Sequence, residues 1–196
     1  DTRPDVVRFV RATVESVEHF VARGSFVANP AGFHQPAHPY RISGVELRPP
    51  SVAPRLGQHT EHHRIADRTP RTVGSGANAL PLKGIRVLDL TTFWAGPSCT
   101  HPMALLGAEV IHVESARRPD GTRLIAGVPV TEEQWWEKQP IFAALNTNKK
   151  DITLDLATER GRELLSRLIA TADVVAENYT PRVLDQLGLQ PVRALA

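Results

Sequence analysis

The residues of this 196-residue chain best suited to chemistry gather in four short stretches. "TTFWAGPS" (91–98) sets Phe93 and Trp94 just before a Gly-Pro pair able to open a helix. "ESARRPDGTR" (114–123) carries Arg117, Arg118 and Arg123. "NTNKK" (146–150) ends in Lys149 and Lys150, and "ENYTPR" (177–182) holds Tyr179 and Arg182. A helix N-terminus offers free backbone N–H groups to an anion. Arginine forks match phosphate oxygens, and aromatic faces supply flat apolar surface. Aromatic surface with dispersed cations suits a phosphate-bearing nucleotide that has an apolar arm. A dinucleotide site would need G-x-G-x-x-G straight after a strand, whereas "GSGANAL" (74–80) precedes the first strong one, and no Walker A sequence occurs.

Other reactive types carry less. The single cysteine, Cys99, reads as a small buried helix residue that nothing nearby activates. His59, His62 and His63 fit no zinc spacing, and His101 and His112 read as packed or surface residues. Asp89 and Asp155 sit in strand motifs and receive no nucleophilic role. Trp135 and Trp136 read as anchors of a helix in the core or at an interface. No catalytic residue and no metal ligand is assigned. Hydrophobic content of 41%, charged content of 22% and a net charge of +2 are ordinary for a globular protein and make no case for nucleic acid. No apolar run is long enough to span a bilayer, and a lone cysteine fits a reducing compartment, so the expected location is the cytoplasm, away from membranes.

The elements that must position these stretches follow from periodicity. Val6, Phe9, Val10, Val14, Val17 and Phe20 recur at helical spacing over 5–22, and Arg23-Gly24 ends that helix. "SFVANP" reads as a short strand broken by Pro30, and 31–60 hold only brief extended pieces such as "YRISGVEL". Residues 66–81 have linker composition. From Gly84 the texture changes. "IRVLDLT" is an apolar strand, and "PSCTHPMALLGA" a helix with Pro97 in its first turn, Ser98 or Thr100 as cap and Gly107 as stop. "EVIHVES" is the second strand of a βαβ unit. "TEEQWWEKQPIFAALNTNKK" holds one or two helical pieces and "DITLDL" alternates like a strand. "TERGRELLSRLIATA" is an amphipathic helix capped by Thr158, with Leu164, Leu165, Leu168 and Ile169 on its apolar face. "DVVAENY" is another buried strand, and a final helix begins near Pro181. Residues 82–196 thus open a doubly wound α/β domain, whose ligands belong beyond the carboxyl ends of its strands.

"LKGIRVLDLTTFWAGPSCTHPMALLGAEVIHVES" and "LNTNKKDITLDLATERGRELLSRLIATADVVAENYTPRVLDQLGL" resemble the opening of the class III coenzyme A transferases, the CaiB/BaiF family. The likeness covers nearly all of 82–189. "RGSFVANP" and "HPYRISGVELRPPSVAPRLGQHTEH" are similar to the same family's closing segment. The resemblance implies an α/β fold with a Rossmann-like open parallel sheet, preceded by the tail of an upstream family copy. Residues 1–65 would be that tail, 66–81 a linker, and 82–196 the incomplete coenzyme A-binding domain of a second copy. A circular permutation is the alternative.

By position, the resemblance implies coenzyme A contacts at Thr92, Trp94 and Ala95, at Leu154, Asp155 and Leu156, and at Asn178, Tyr179 and Thr180. Where the family often has Arg after the second strand, this chain has Ser115, and Arg117 or Arg118 would serve. Where it has Arg in the final motif, this chain has Gln186, and Arg182 would substitute. Coenzyme A enters as substrate, with no further cofactor. The implied reaction moves coenzyme A between carboxylic acids through an aspartyl thioester. The family's nucleophilic aspartate falls downstream of the "LGL" motif, so these 196 residues alone are expected to be inactive. An acyl-CoA racemase or lyase on the same scaffold is the alternative, as is a non-catalytic half of a fused pseudo-dimer. Acyl-CoA and a carboxylic acid are the implied small-molecule partners. A homodimer, or an intrachain pseudo-dimer of interlocked copies, is the implied assembly.

Overall fold

The computed structural model describes residues 16–38, 41–61, 80–125 and 127–188. The chain divides into two units, Asp1–Arg64 and Ile65–Ala196. The first part of the expected 5–22 helix, most of the 66–81 linker, and His62 and His63 lie outside the described residues.

The first unit holds helix α1 (Glu18–Arg23) and the antiparallel strands β1 (Phe26–Asn29) and β2 (Phe33–Pro36). Gly24 ends α1 in the left-handed region, as the Arg23-Gly24 pair predicts. Pro30 does end β1, but it opens a tight turn in place of a plain break. Gly32 donates to the Asn29 carbonyl at 2.9 Å and returns the chain into β2. The second strand of this hairpin escaped the sequence reading, because "FHQP" is short and ends in proline. No strand occurs over 41–47.

The second unit has four parallel strands: β3 (Arg86–Asp89), β4 (Glu109–Glu114), β5 (Lys150–Thr153) and β6 (Val174–Ala176), in the order β5-β4-β3-β6. The chain builds outward from β3 to β5 and then returns to the other side of β3. That reversal makes the β3/β6 junction a topological switch point.

Alternation along the strands sends side chains to two faces. Leu88, Leu90 and Val113 pack with Leu165 and Leu168 of helix α5 (Glu159–Ile169), which follows β5. Val87 and Val110 pack on the other face with Ala104 of helix α2 (Ala95–Leu105). Between them come α3 (Thr122–Ile125), a 3-10 turn (Trp135–Glu137) and α4 (Pro140–Asn146), and α6 (Pro181–Gln186) closes the described chain. The expected open parallel sheet with a helix on each face is present.

Several local expectations need adjustment. Helix α2 starts earlier than Ser98: Trp94 occupies the cap position without a side-chain cap bond, and Pro102 lies inside the helix. Cys99 is exposed rather than buried, because the inward positions of α2 are Pro97, Thr100, Ala104 and Leu105. Strand β6 is an edge strand with only partial burial. Gly107 does stop α2, at φ +102, where an added Cβ would lie 2.5 Å from the Leu80 side chain. Thr158 caps α5 as expected, its hydroxyl accepting from Gly161 N at 3.0 Å.

Candidate functional site

The loops that follow the carboxyl ends of β3 and β6 meet at the switch point. Asn178, after β6, accepts a hydrogen bond from Thr92 N and donates one to Thr92 O, both at 2.9 Å. An asparagine side chain presents an acceptor and a donor side by side, so it pairs with a backbone segment as a strand would. This clamp ties the loop after β3 to the loop after β6 across the junction where doubly wound sheets bind ligands.

Phe93 and Trp94 follow the clamp and open α2. Both rings stand half out of the protein, at 49% and 48% exposure. Phe93 has φ 72, a left-handed backbone that a bulky residue adopts only when its surroundings impose it. Two oxygens of Asp120, at 3.1 and 3.2 Å, accept from Phe93 N. Gly96, one turn on, must lack a side chain, since a Cβ there would come within 2.2 Å of Thr91.

The turn after β5 presents Leu154, Asp155 and Leu156. Leu154 and Leu156 pack against the α5-side core together with Tyr179 from the loop after β6. Asp155 Oδ1 accepts from Ala157 N, and Asp155 Oδ2 lies 3.3 Å from Arg117 Nε, linking this turn to the loop after β4. Gly161 lets α5 press on the turn: a Cβ there would meet the Asp155 carbonyl at 2.0 Å. Burial, with the negative charge of Glu177 and Asp89, pushes the Tyr179 hydroxyl pKa up, and nearby Arg118 works against that rise. Thr180 is the exposed N-cap of α6 and Arg182 is exposed in its first turn.

Thr92, Trp94 and Ala95 follow β3, Arg117 and Arg118 follow β4, Leu154, Asp155 and Leu156 follow β5, and Asn178, Tyr179, Thr180 and Arg182 follow β6, all beyond the carboxyl ends of the parallel strands. Three other cations considered for phosphate are committed elsewhere. Arg123 is buried, bonded to both oxygens of Glu114, to Asp151 and to the Trp136 carbonyl, with its guanidinium 3.4 Å from the Phe142 ring centre. Lys149 is 1% exposed at its side chain and pairs with Asp89 at 2.9 Å. Lys150 pairs with Glu109, the first residue of β4, at 2.6 Å.

Beneath the crest lies a buried polar layer. Asp89 accepts from the hydroxyls of Thr91 and Thr100, both at 2.6 Å, and from Lys149. Burial alone would raise its carboxyl; His112, Lys149 and Thr100 outweigh that and hold it far below the usual carboxylate range. Burial lowers the Lys149 pKa, with Asp89 opposing. His112 is buried beside this group. Its Nδ1 stands 3.5 Å from Asp89 Oδ2, and neither ring nitrogen makes a hydrogen bond. His112, Glu114 and Asp151 bring ligand-type atoms within 4.8 Å of one another. Two of these three groups are paired with the Arg123 guanidinium, which lies 2.5 Å from Glu114 and 3.1 Å from Asp151.

Sequence reasoning passed over Asp120, which it placed in a plain polar loop. The available signal was "DGT", an aspartate able to cap its own backbone two residues on.

Residues 82–196 match the model of CoA-transferase family III. An acyl-CoA transferase of Fusarium pseudograminearum is 35% identical over 165 residues, covering 76% of this chain and 35% of that protein. A formyl-CoA:oxalate CoA-transferase of Rhodopseudomonas palustris is 43% identical over 108 residues, covering 55% of this chain and 24% of that protein. The crystal structure of a CAIB/BAIF family protein from Brucella suis superposes with a TM-score of 0.52 at 40% identity, over 58% of this chain and 30% of that one. The chain spans about a third or less of the length of these relatives.

Proposed function

The chain belongs to CoA-transferase family III, and from that premise we propose that the complete protein moves coenzyme A between carboxylic acids, with residues 82–196 supplying the coenzyme A site. The observation that carries the reading is the Thr92–Asn178 clamp at the switch point, with Trp94 and Tyr179 next to it in sequence and Asp155 at the same carboxyl end of the sheet, paired with Arg117. In this reading the adenine lies against Tyr179, whose ring the core already holds in place. Arg118 meets phosphate, while Arg117 is partly neutralised by Asp155. The small Ala95 lets the pantetheine arm pass the start of α2 near Trp94. Coenzyme A passes through a thioester on an aspartate outside these 196 residues. The carboxylate attacks the acyl-CoA to give a mixed anhydride and free coenzyme A thiolate, and the thiolate then attacks the aspartyl carbonyl and releases the donor carboxylate. Asp89 is unsuited to that task, being buried and bonded to Lys149, Thr91 and Thr100. Calorimetry with coenzyme A tests the binding half of the proposal: saturable binding supports it, and no heat at millimolar coenzyme overturns it. Thioester exchange by the 196 residues alone would place the nucleophile within them.

Residues 1–65 read as the closing segment of a family copy that precedes this one, joined by 66–81. The Fusarium match bears on that arrangement. It covers 76% of this chain, more than 82–196 alone could supply, so it takes in residues ahead of position 82. That reach supports the order of an upstream segment followed by 82–196. Either a tandem fusion or a permuted copy has that order, and in the tandem case one chain would form a pseudo-dimer by itself.

A further inference from the structure

The strained residue at the mouth of the site has one partner that explains its conformation. Asp120 is 1% exposed, and its carboxylate accepts from three groups: Thr122 N at 2.7 Å, Thr122 Oγ1 at 2.7 Å, and Phe93 N at 3.1–3.2 Å. Its own N–H donates to Glu114 Oε1 at 2.9 Å, and Glu114 is fixed by Arg123. Phe93 also touches this loop through its ring, since a Cβ on Gly121 would lie 2.8 Å from it. The bonds from Thr122 hold the carboxylate at the start of α3, where N–H groups favour an anion. With its orientation set from that side, both oxygens face the Phe93 N–H. A left-handed backbone at a bulky residue is costly and persists only when neighbours over-determine it.

We infer that Asp120 is a positioning residue: it fixes Phe93 in its left-handed conformation and thereby sets where Trp94 and the first turn of α2 face the ligand. The effect on coenzyme A rests on the proposed function, while the effect on Trp94 does not. A carboxylate is required because both of its oxygens are used as acceptors. Asparagine would turn an N–H₂ group toward one of the donors.

The test uses the intact protein labelled with 5-fluorotryptophan, the Trp94 fluorine signal being assigned by its loss in Trp94→Phe. In Asp120→Asn the Trp94 signal should shift or broaden while that of Trp135 holds, and coenzyme A affinity should fall about tenfold. Thr122→Val removes the hydroxyl bond to Asp120 but keeps the one from Thr122 N, so it should disturb the Trp94 signal and the affinity less than Asp120→Asn does. An unchanged Trp94 signal in folded Asp120→Asn, or equal effects from the two variants, overturns the inference. Should Asp120→Asn fail to fold, hydrogen exchange on the unmodified protein decides. A protected Phe93 amide supports the inference, and exchange at the rate of an open chain overturns it. If the unmodified protein binds no coenzyme A, the functional reading falls, and the Trp94 and Phe93 measurements still judge Asp120.

Discussion

Asn178 and Thr92 are 86 residues apart in sequence and exchange two hydrogen bonds across the junction of β3 and β6. Both bonds lie at the surface, so their worth to global stability is small while their hold on the two loops is direct. Asn178→Ala should cost about 1 kcal/mol in urea unfolding. It should also release the Thr92 amide to faster hydrogen exchange and weaken coenzyme A binding. Unchanged exchange at Thr92 would show that the loops keep their places without the clamp.

Lys149 and Asp89 form a buried ion pair, and removing one partner strands the other charge. Lys149→Met should destabilise the fold by about 3–5 kcal/mol. Adding Asp89→Asn should recover part of that loss, since it removes the stranded carboxylate. A double variant no more stable than the single one would refute an electrostatic origin.

Burial and the charge of Glu114, with Arg123 opposing, push the Asp151 carboxyl up to about 8. Its side chain is 39% exposed, so the neighbouring carboxylate carries much of the effect. A folded pKa above the unfolded one means the native state holds a proton that the unfolded chain has released. The associated stability is full below the ordinary aspartate range and is lost as pH rises through about 8. Urea unfolding should therefore show stability declining over that window. Asp151→Asn should flatten the decline. Asp89 acts in the opposite sense: its depressed carboxyl contributes stability at neutral pH that is lost only in strong acid.

Gly161 sits where α5 meets the Asp155 carbonyl, with no room for a Cβ. Gly161→Ala forces the turn or the helix to move and should cost about 1–3 kcal/mol. Because Asp155 is in that turn, coenzyme A affinity should fall as well. Retained affinity with lowered stability would separate the turn from the ligand.

Arg118 and Arg117 differ in their attachments. Arg118→Ala should weaken coenzyme A binding and reduce its dependence on salt, while Arg117→Ala should do less, since Asp155 already offsets that charge. Calorimetry at two salt concentrations compares them, and equal losses would contradict the assignment of phosphate to Arg118.

The sequence by itself determined the layers. Apolar runs at 85–91 and 109–113, the capped amphipathic helix at 158–169 and the Gly107 stop report local backbone preference and burial, which neighbouring residues encode. The ordered motifs also determined the family, and with it the positions to inspect. Tertiary structure alone decided what each charge does. Arg117, Arg118 and Arg123 fall within seven positions of the sequence, yet Arg123 is buried against Glu114, Asp151 and Phe142 while the other two face water. Lys149 and Lys150 are adjacent, but one reaches Asp89 in the interior and the other Glu109 at the surface. Asp120 gained its role the same way, from a backbone N–H that lies 27 residues away in the chain. Partners of that kind are fixed when strands from distant parts of the chain come into register. Desolvation then makes each pairing strong or costly, a quantity no local pattern of residues records.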